Sequence, residues 1–223
     1  MGDKERLLAG ALVTLLLFVA PGYLLHVSPR FPGSLMGSML GVAGAVLLIL
    51  VLVYPAVKYV KWINVRVTRR VPLRRLLTFH VYAGILGALL GILHSGHKYD
   101  SPLGISLVTT TIVVVLSGFV GRYYLAYLTV GLRQQEGTLA QLRNAYNKLA
   151  ADLAGRASLP PAIPVVPLVG AIADLEYTIG ARETAKRLLG RWMVIHVTAS
   201  VILYLLLGLH IWSGIYFGLR WLP

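Results

Sequence analysis

The chain has 223 residues, of which 57% are hydrophobic and only 13% charged, and the apolar residues fall in long blocks. No soluble domain of this size needs such blocks, so the composition indicates an integral membrane protein. Cysteine is absent, which excludes disulfides, thiolate metal sites and covalently attached haem within this chain. The formal net charge of +13 comes from Lys and Arg beside the apolar blocks, where they set membrane topology, so no nucleic-acid partner is expected.

Five apolar blocks are long enough to cross a hydrocarbon core about 30 Å thick, which takes roughly 20 residues of helix. They cover about 7–27, 35–57, 76–94, 103–123 and 192–212. The first block follows two basic residues, as a signal peptide would, but its length and its poor cleavage site favour a retained helix. The predicted fold is an all-α membrane bundle of five transmembrane helices, forming a single membrane domain over residues 1–223.

The basic residues predict the orientation in the membrane. Seven of them lie between the second and third blocks with no acidic residue among them: Lys58, Lys61, Arg66, Arg69, Arg70, Arg74 and Arg75. The positive-inside rule places that loop in the cytoplasm, whereas the other short connections carry little net charge. We therefore expect the amino terminus inside and the carboxyl terminus outside.

The stretch at about 132–191 is predicted to be a helical cytoplasmic insert between the fourth and fifth transmembrane helices. Residues 134–156 have apolar positions spaced by three or four, which is typical of an amphipathic helix. Four prolines within 158–167 indicate an irregular connector. Residues 174–190 are predicted to be helical again.

Four of the six histidines lie inside two of the apolar blocks, His80 and His94 in the third, His196 and His210 in the fifth. Both pairs are separated by 14 residues, so the members of a pair share one helix face and lie about 21 Å apart along the axis. Because both helices run from inside to outside, His80 is expected to face His196 at the inner end. His94 is expected to face His210 at the outer end.

Haem iron takes two axial ligands, and neutral imidazole is a common one. The histidine pattern therefore predicts two bis-histidine haem sites, one above the other. Satisfied interhelical hydrogen bonding or interfacial polarity is the alternative for histidines in such helices. His97 lies about 100° away from the face of His80, so His94 is the better candidate ligand.

Three glycines follow His80 near the same helix face. They are Gly84, Gly87 and Gly91. Such a stripe would let a flat macrocycle approach the backbone, although glycines at these positions also serve the close packing of helices.

A resemblance to a known family is carried by residues 76–128, which read LLTFHVYAGILGALLGILHSGHKYDSPLGISLVTTTIVVVLSGFVGRYYLAYL. They resemble the bacterial di-haem cytochromes b of the ferric-reductase-like transmembrane group, in which two helices each carry a pair of haem-ligating histidines. The string SGFVGRYY at 117–124 is the most distinctive part. Residues 192–212 look like the matching second ligand helix.

The resemblance implies two haem b groups and electron transfer in the bacterial cytoplasmic membrane, without implying a substrate. Arg122 and Arg191 lie at the inner level and are candidate partners of haem propionates, with ordinary topology charges as the alternative. Flavin-linked reductases of the wider group carry a nucleotide-binding domain, and this sequence has no motif of that kind.

Three functions follow from these observations. The favoured one is a membrane subunit that carries electrons across the bilayer between a quinone or a redox partner, such as another subunit or a cytochrome, and an acceptor on the other face. The second is a self-contained haem oxidoreductase acting on quinone, ferric iron or superoxide. The third is a metal transporter or scaffold whose histidines bind metal without haem. We therefore expect an electron-transfer subunit of an oxidoreductase complex rather than a complete enzyme.

Overall fold

A computed structural model shows helices joined by short turns, with no strand among the residues that it describes. These residues are 3–98, 100–125 and 165–219, together with 137, 138, 140, 141, 144, 147, 148 and 151. They divide into two compact units, one formed by Met1–Val120 and Ile195–Pro223, and the other by Gly121–Val194. The all-α class predicted from the sequence is confirmed.

The described residues form seven α-helices. In chain order they are α1 (Asp3–Val19), α2 (Leu35–Leu50), α3 (Val53–Tyr59), α4 (Lys61–Thr68), α5 (Leu73–His94), α6 (Pro102–Val120) and α7 (Val165–Leu219). Two short 3-10 helices, Ala20–Leu24 and Phe31–Gly33, lie between α1 and α2. A π-helical turn, Gly121–Leu125, follows α6 directly.

Five helical stretches are long and apolar enough to cross a membrane. They are Lys4–Gly22, Leu35–Tyr59, Leu73–His94, Pro102–Tyr123 and Arg187–Phe217. Large apolar side chains also cover the outside of the bundle: Phe18 is 76% exposed and Leu205 65%. A soluble protein does not expose apolar surface on this scale. The chain is therefore a multi-pass membrane protein, and the five predicted blocks are confirmed in number and order.

The first helix differs from its predicted extent, because α1 ends at Val19 rather than near residue 27. The chain continues as a 3-10 helix with Pro21 in its first turn. Proline has no N–H to donate to the α-helical ladder, so it ends the regular helix. A hydropathy block does not register this change, since the residues beyond Val19 stay apolar.

The region before the last span also differs from the sequence prediction. Residues 165–167 were expected in an irregular connector and 174–190 in a separate helix, but Val165–Leu219 is one continuous helix. Pro167 is tolerated there because the first turn of a helix needs no N–H donors. The eight described residues between 137 and 151 are helical, while the rest of the predicted helix 134–156 and residues 158–164 lie outside the described residues.

The second span is broken, although the sequence predicted one uninterrupted helix over 35–57. The α-helix α2 ends at Leu50 and α3 begins at Val53. At the break the Leu52 N–H bonds to the Ile49 carbonyl at 3.0 Å, in place of the Leu48 carbonyl that a regular helix would use. Pro55, one turn further, has no N–H at all.

The core of the first unit is the packing of α2 against α5. Gly44 and Gly87 meet at this crossing: a Cβ on Gly44 would lie 3.0 Å from the Gly87 carbonyl oxygen. Helices α1 and α6 also pack against α5. The carboxyl-terminal part of α7 belongs to the same unit, and its Leu203 is buried there.

Candidate cofactor site at the histidine pairs

The first pair of histidines joins α5 and α7. His94, the last residue of α5, and His210 of α7 have ring centroids 6.4 Å apart, with their planes at 78° to each other. Both side chains are half-buried.

This separation fits two axial ligands of one metal ion. Imidazoles that bind a metal from opposite sides through bonds of about 2 Å have centroids about 6.3 Å apart, since each ring centre lies about 1.1 Å behind its nitrogen. The 6.4 Å between His94 and His210 is close to that value. Direct hydrogen bonding between the rings would bring the centroids closer than this.

The second pair is His80 and His196. His80 of α5 and His196 of α7 lie within electrostatic range of each other, as His94 and His210 do. The ring of Tyr54 in α3 packs against His80 with centroids 5.3 Å apart. The structure therefore brings together the partners that the sequence paired, His80 with His196 and His94 with His210.

The orientation of His94 is set by α2. Its Nδ1 donates to the Gly37 carbonyl at 2.8 Å. The ring occupies the space that a side chain at position 41 would need, because a Cβ on Gly41 would lie 2.8 Å from Nδ1. With the proton on Nδ1, the neutral ring carries its free lone pair on Nε2, the atom that binds a metal.

His80 is held in the same way by the break in the second span. Its Nδ1 donates to the Val51 carbonyl at 2.9 Å. In a regular helix that carbonyl would accept from residue 55, but Pro55 has no N–H. The proton again lies on Nδ1, which leaves Nε2 as the acceptor.

His196 is held by α6 through the string that the sequence analysis singled out. The Ser117 hydroxyl donates to the Val114 carbonyl at 2.9 Å, and its oxygen lies 2.8 Å from His196 Nδ1. When the hydroxyl proton points to the Val114 carbonyl, His196 Nδ1 is the donor of the second bond. A Cβ on Gly118 would lie 3.2 Å from His196 Cε1, so this glycine makes room for the ring.

The glycine stripe on α5 serves more than one purpose. Gly87 faces α2, where a Cβ would lie 3.0 Å from Leu48 Cγ and 3.1 Å from the Gly44 carbonyl oxygen. Gly87 is thus a helix-packing glycine, as the alternative interpretation has it. Around Gly91 no described atom lies within 4 Å of a Cβ, and Gly84 meets only Val51 Cγ2 at 3.9 Å. These two positions keep open surface on the ligand helix.

The two arginines proposed as propionate partners belong to the unit Gly121–Val194. Arg122 is half-buried in the π-helical turn and Arg191 is exposed on α7. In the same unit Gly121 lies directly against the indole of Trp192, which occupies the place of a side chain at position 121. The unit that contains the paired histidines also has two exposed basic residues in the first turn of α5, Arg74 and Arg75.

His97 is not part of either histidine pair and bonds to the end of α1. Its Nε2 donates to the Val19 carbonyl at 2.9 Å, and it packs where a Cβ on Gly22 would lie 2.5 Å away. Its backbone has φ of 58°, the left-handed region that few residues other than glycine adopt. This histidine therefore ties the loop after α5 to the end of α1.

Sequence reasoning missed the residues that hold the imidazoles. They are Gly37, Gly41, Val51, Pro55, Ser117 and Gly118. Three of them act through backbone carbonyls or a missing N–H, which no side-chain motif reports. Only SGFVGRYY gave a signal, since its first two residues are Ser117 and Gly118.

The donor set favours a cofactor that needs two protein ligands per metal. Within the part of the chain that the structure describes, no group of three or more His, Asp or Glu side chains is placed to hold a metal ion. Protein zinc sites use three or four such ligands, whereas haem iron needs two because the porphyrin supplies the others. The paired imidazoles fit the second case.

Comparison with protein-family models, with curated proteins and with solved structures gives no match for this chain.

Proposed function

We propose that this protein is a di-haem b-type cytochrome of the ferric-reductase-like transmembrane group that carries electrons across a membrane. His80 and His196 would bind the inner haem iron, and His94 and His210 the outer one. The observation that carries the proposal is the facing pair His94 and His210, 6.4 Å apart between ring centroids. That separation matches two imidazoles bound to one six-coordinate haem iron.

The chain's own residues would hold and tune each haem. When bound, haem supplies a one-electron iron couple, and the protein sets its potential through ligand basicity, field and exclusion of water. Hydrogen bonds from Nδ1 to Gly37, Val51 and Ser117 orient three of the four ligands and raise their basicity. Gly84 and Gly91 provide open helix surface beside them.

The positions of the ligands support a path across the membrane. His94 ends α5, and His80 lies near its beginning. A bilayer interior insulates, so two redox centres at opposite levels of one span would divide the crossing into shorter transfers. We propose that the protein lies in the bacterial cytoplasmic membrane with its amino terminus inside, and exchanges electrons with a quinone or a redox partner subunit or cytochrome. It would act as a subunit of an oxidoreductase.

Haem content tests this proposal. Purified protein should contain about two haems b per chain and show their reduced absorption bands after dithionite. His94→Ala should remove the outer haem and retain the inner one, since the two pairs share no ligand. Pyridine haemochrome analysis against protein concentration measures the loss.

His97→Ala is the matched control, because it removes a nearby imidazole that is bonded to Val19 rather than paired with His210. It should keep both haems. A colourless wild-type protein that binds zinc or copper would contradict the proposal and favour a metal transporter.

A further inference from the structure

The break in the second span leaves two backbone carbonyls without their regular helical donors. The Leu48 carbonyl loses its donor because the Leu52 N–H bonds to Ile49. The Val51 carbonyl loses its donor because Pro55 has no N–H. Inside a membrane no water is available to bond such a carbonyl, so an unpaired one is strongly unfavourable.

Both carbonyls are satisfied by side chains from the two histidine-bearing helices. The Tyr204 hydroxyl of α7 donates to the Leu48 carbonyl at 2.7 Å. His80 Nδ1 of α5 donates to the Val51 carbonyl at 2.9 Å. The break in the second span thus accepts hydrogen bonds from His80 of α5 and from Tyr204 of α7. Tyr204 lies eight residues after His196.

We propose that Pro55 is a positioning residue for His80. By removing the N–H at position 55, it reserves the Val51 carbonyl for the imidazole and keeps the proton on Nδ1. The Nε2 lone pair is then available to bind a metal. For haem as the ligand the inference rests on the proposed function, but the hydrogen bond itself does not require haem.

The neighbouring contacts agree with this role. Tyr54, the residue before Pro55, packs its ring against His80, so the same turn supplies both a hydrogen-bond acceptor and a wall for the imidazole. His94 at the other end of α5 uses the Gly37 carbonyl, which lies within the regular helix α2. The two histidines of α5 therefore differ in their acceptors: His80 bonds to a carbonyl at the break in the second span, and His94 bonds to a carbonyl within a regular helix.

Pro55→Ala tests the inference. Alanine favours helix formation, so the substitution should not disrupt the second span. The restored N–H would compete for the Val51 carbonyl. We expect His80 to lose its fixed tautomer, which nitrogen NMR of histidine-labelled protein reports with or without cofactor. We also expect inner-haem affinity to fall about tenfold, a usual effect of losing such a bond, and the inner potential to rise as the ligand becomes less basic. Pro55→Gly restores the same N–H and should behave alike.

Tyr204→Phe is the matched control, since it removes the partner of Leu48 at the same break and leaves the bond of His80 to Val51 in place. It should leave the His80 tautomer and the inner potential unchanged. The inference is overturned if both Pro55 variants leave the tautomer of His80 and the potential of the inner haem unchanged. That result would count against the role of Pro55 even if the protein binds two haems. The protein could instead contain no haem while the Pro55 variants still change the tautomer of His80. That result would contradict the proposed function and support the role of Pro55.

Discussion

Each imidazole that the structure fixes in the first unit lies against a glycine or a backbone carbonyl of a neighbouring helix. His94 lies over Gly41, His196 over Gly118 and His97 over Gly22. The absence of a Cβ lets the ring approach the helix closely enough for a ring nitrogen to reach a main-chain or hydroxyl oxygen. Small residues of this kind are therefore part of the candidate site, although they carry no reactive group.

Gly41→Ala should displace His94 and weaken the outer haem selectively. The added Cβ would lie 2.8 Å from Nδ1 and 2.9 Å from Cε1, so the ring must move and its bond to Gly37 is lost. We expect outer-haem affinity to fall about tenfold or more. Haem retention during gel filtration, followed by redox titration, measures it.

Gly214→Ala is the control for Gly41, because no described atom lies within 4 Å of a Cβ at that position. It adds the same methyl group to a transmembrane helix and should leave both haems in place. Equal haem loss in the two variants would contradict the role given to Gly41.

At the scale of the elements, the second span joins both histidine-bearing helices. Backbone approach at Gly44 and Gly87 joins α2 to α5, which also carries two histidines whose hydrogen-bond acceptors lie in the second span. Side chains join α7 to the same elements: Tyr204 bonds to the Leu48 carbonyl, and the His210 ring lies beside that of His94.

Gly87→Ala should lower the stability of the bundle whether or not a cofactor is bound. Its Cβ would lie 3.1 Å from a backbone oxygen that cannot rotate away, and overpacking of this kind costs about 1–3 kcal/mol. Gly91→Ala adds the same group into open space and should not lower the stability of the haem-free protein. Thermal unfolding followed by circular dichroism compares the two, and equal stability losses would contradict the assignment of Gly87 to helix packing.

For the whole molecule, charge and aromatic residues indicate how the bundle lies in a membrane. At the end of the second span Lys58 lies 5.1 Å from the ring centroid of Tyr59, and Arg66 lies 5.0 Å from that of Trp62. Both aromatic rings are mostly exposed. Aromatic and basic residues together are typical of a membrane interface, and basic residues favour its cytoplasmic side.

Orientation is testable because the chain has no cysteine. Arg69→Cys, in the basic loop, should react with a membrane-impermeant maleimide only after the cells are opened. Lys98→Cys, in the connection between α5 and α6, should react in intact cells. The cysteine-free parent is the control for background labelling. The reverse pattern would invert the proposed orientation, and with it the inner and outer assignment of the haems.

The sequence alone determined the five spans and the histidine pairing. Both depend on local properties: the length of an apolar run and the angle of 100° between successive residues of a helix. Those properties do not depend on how neighbouring helices are arranged. The 14-residue spacing of His80 and His94 was therefore enough to place both on one face of α5.

Only the tertiary structure decided how the imidazoles are held. The carbonyls of Gly37 and Val51 become acceptors for α5 because another helix brings them there, and the break before Pro55 follows from a missing N–H rather than from a change in hydropathy. The sequence treats Gly87 and Gly91 alike, but packing against α2 gives them different roles. Contacts between residues far apart in the chain depend on the arrangement of helices, and hydrophobic length does not encode that arrangement.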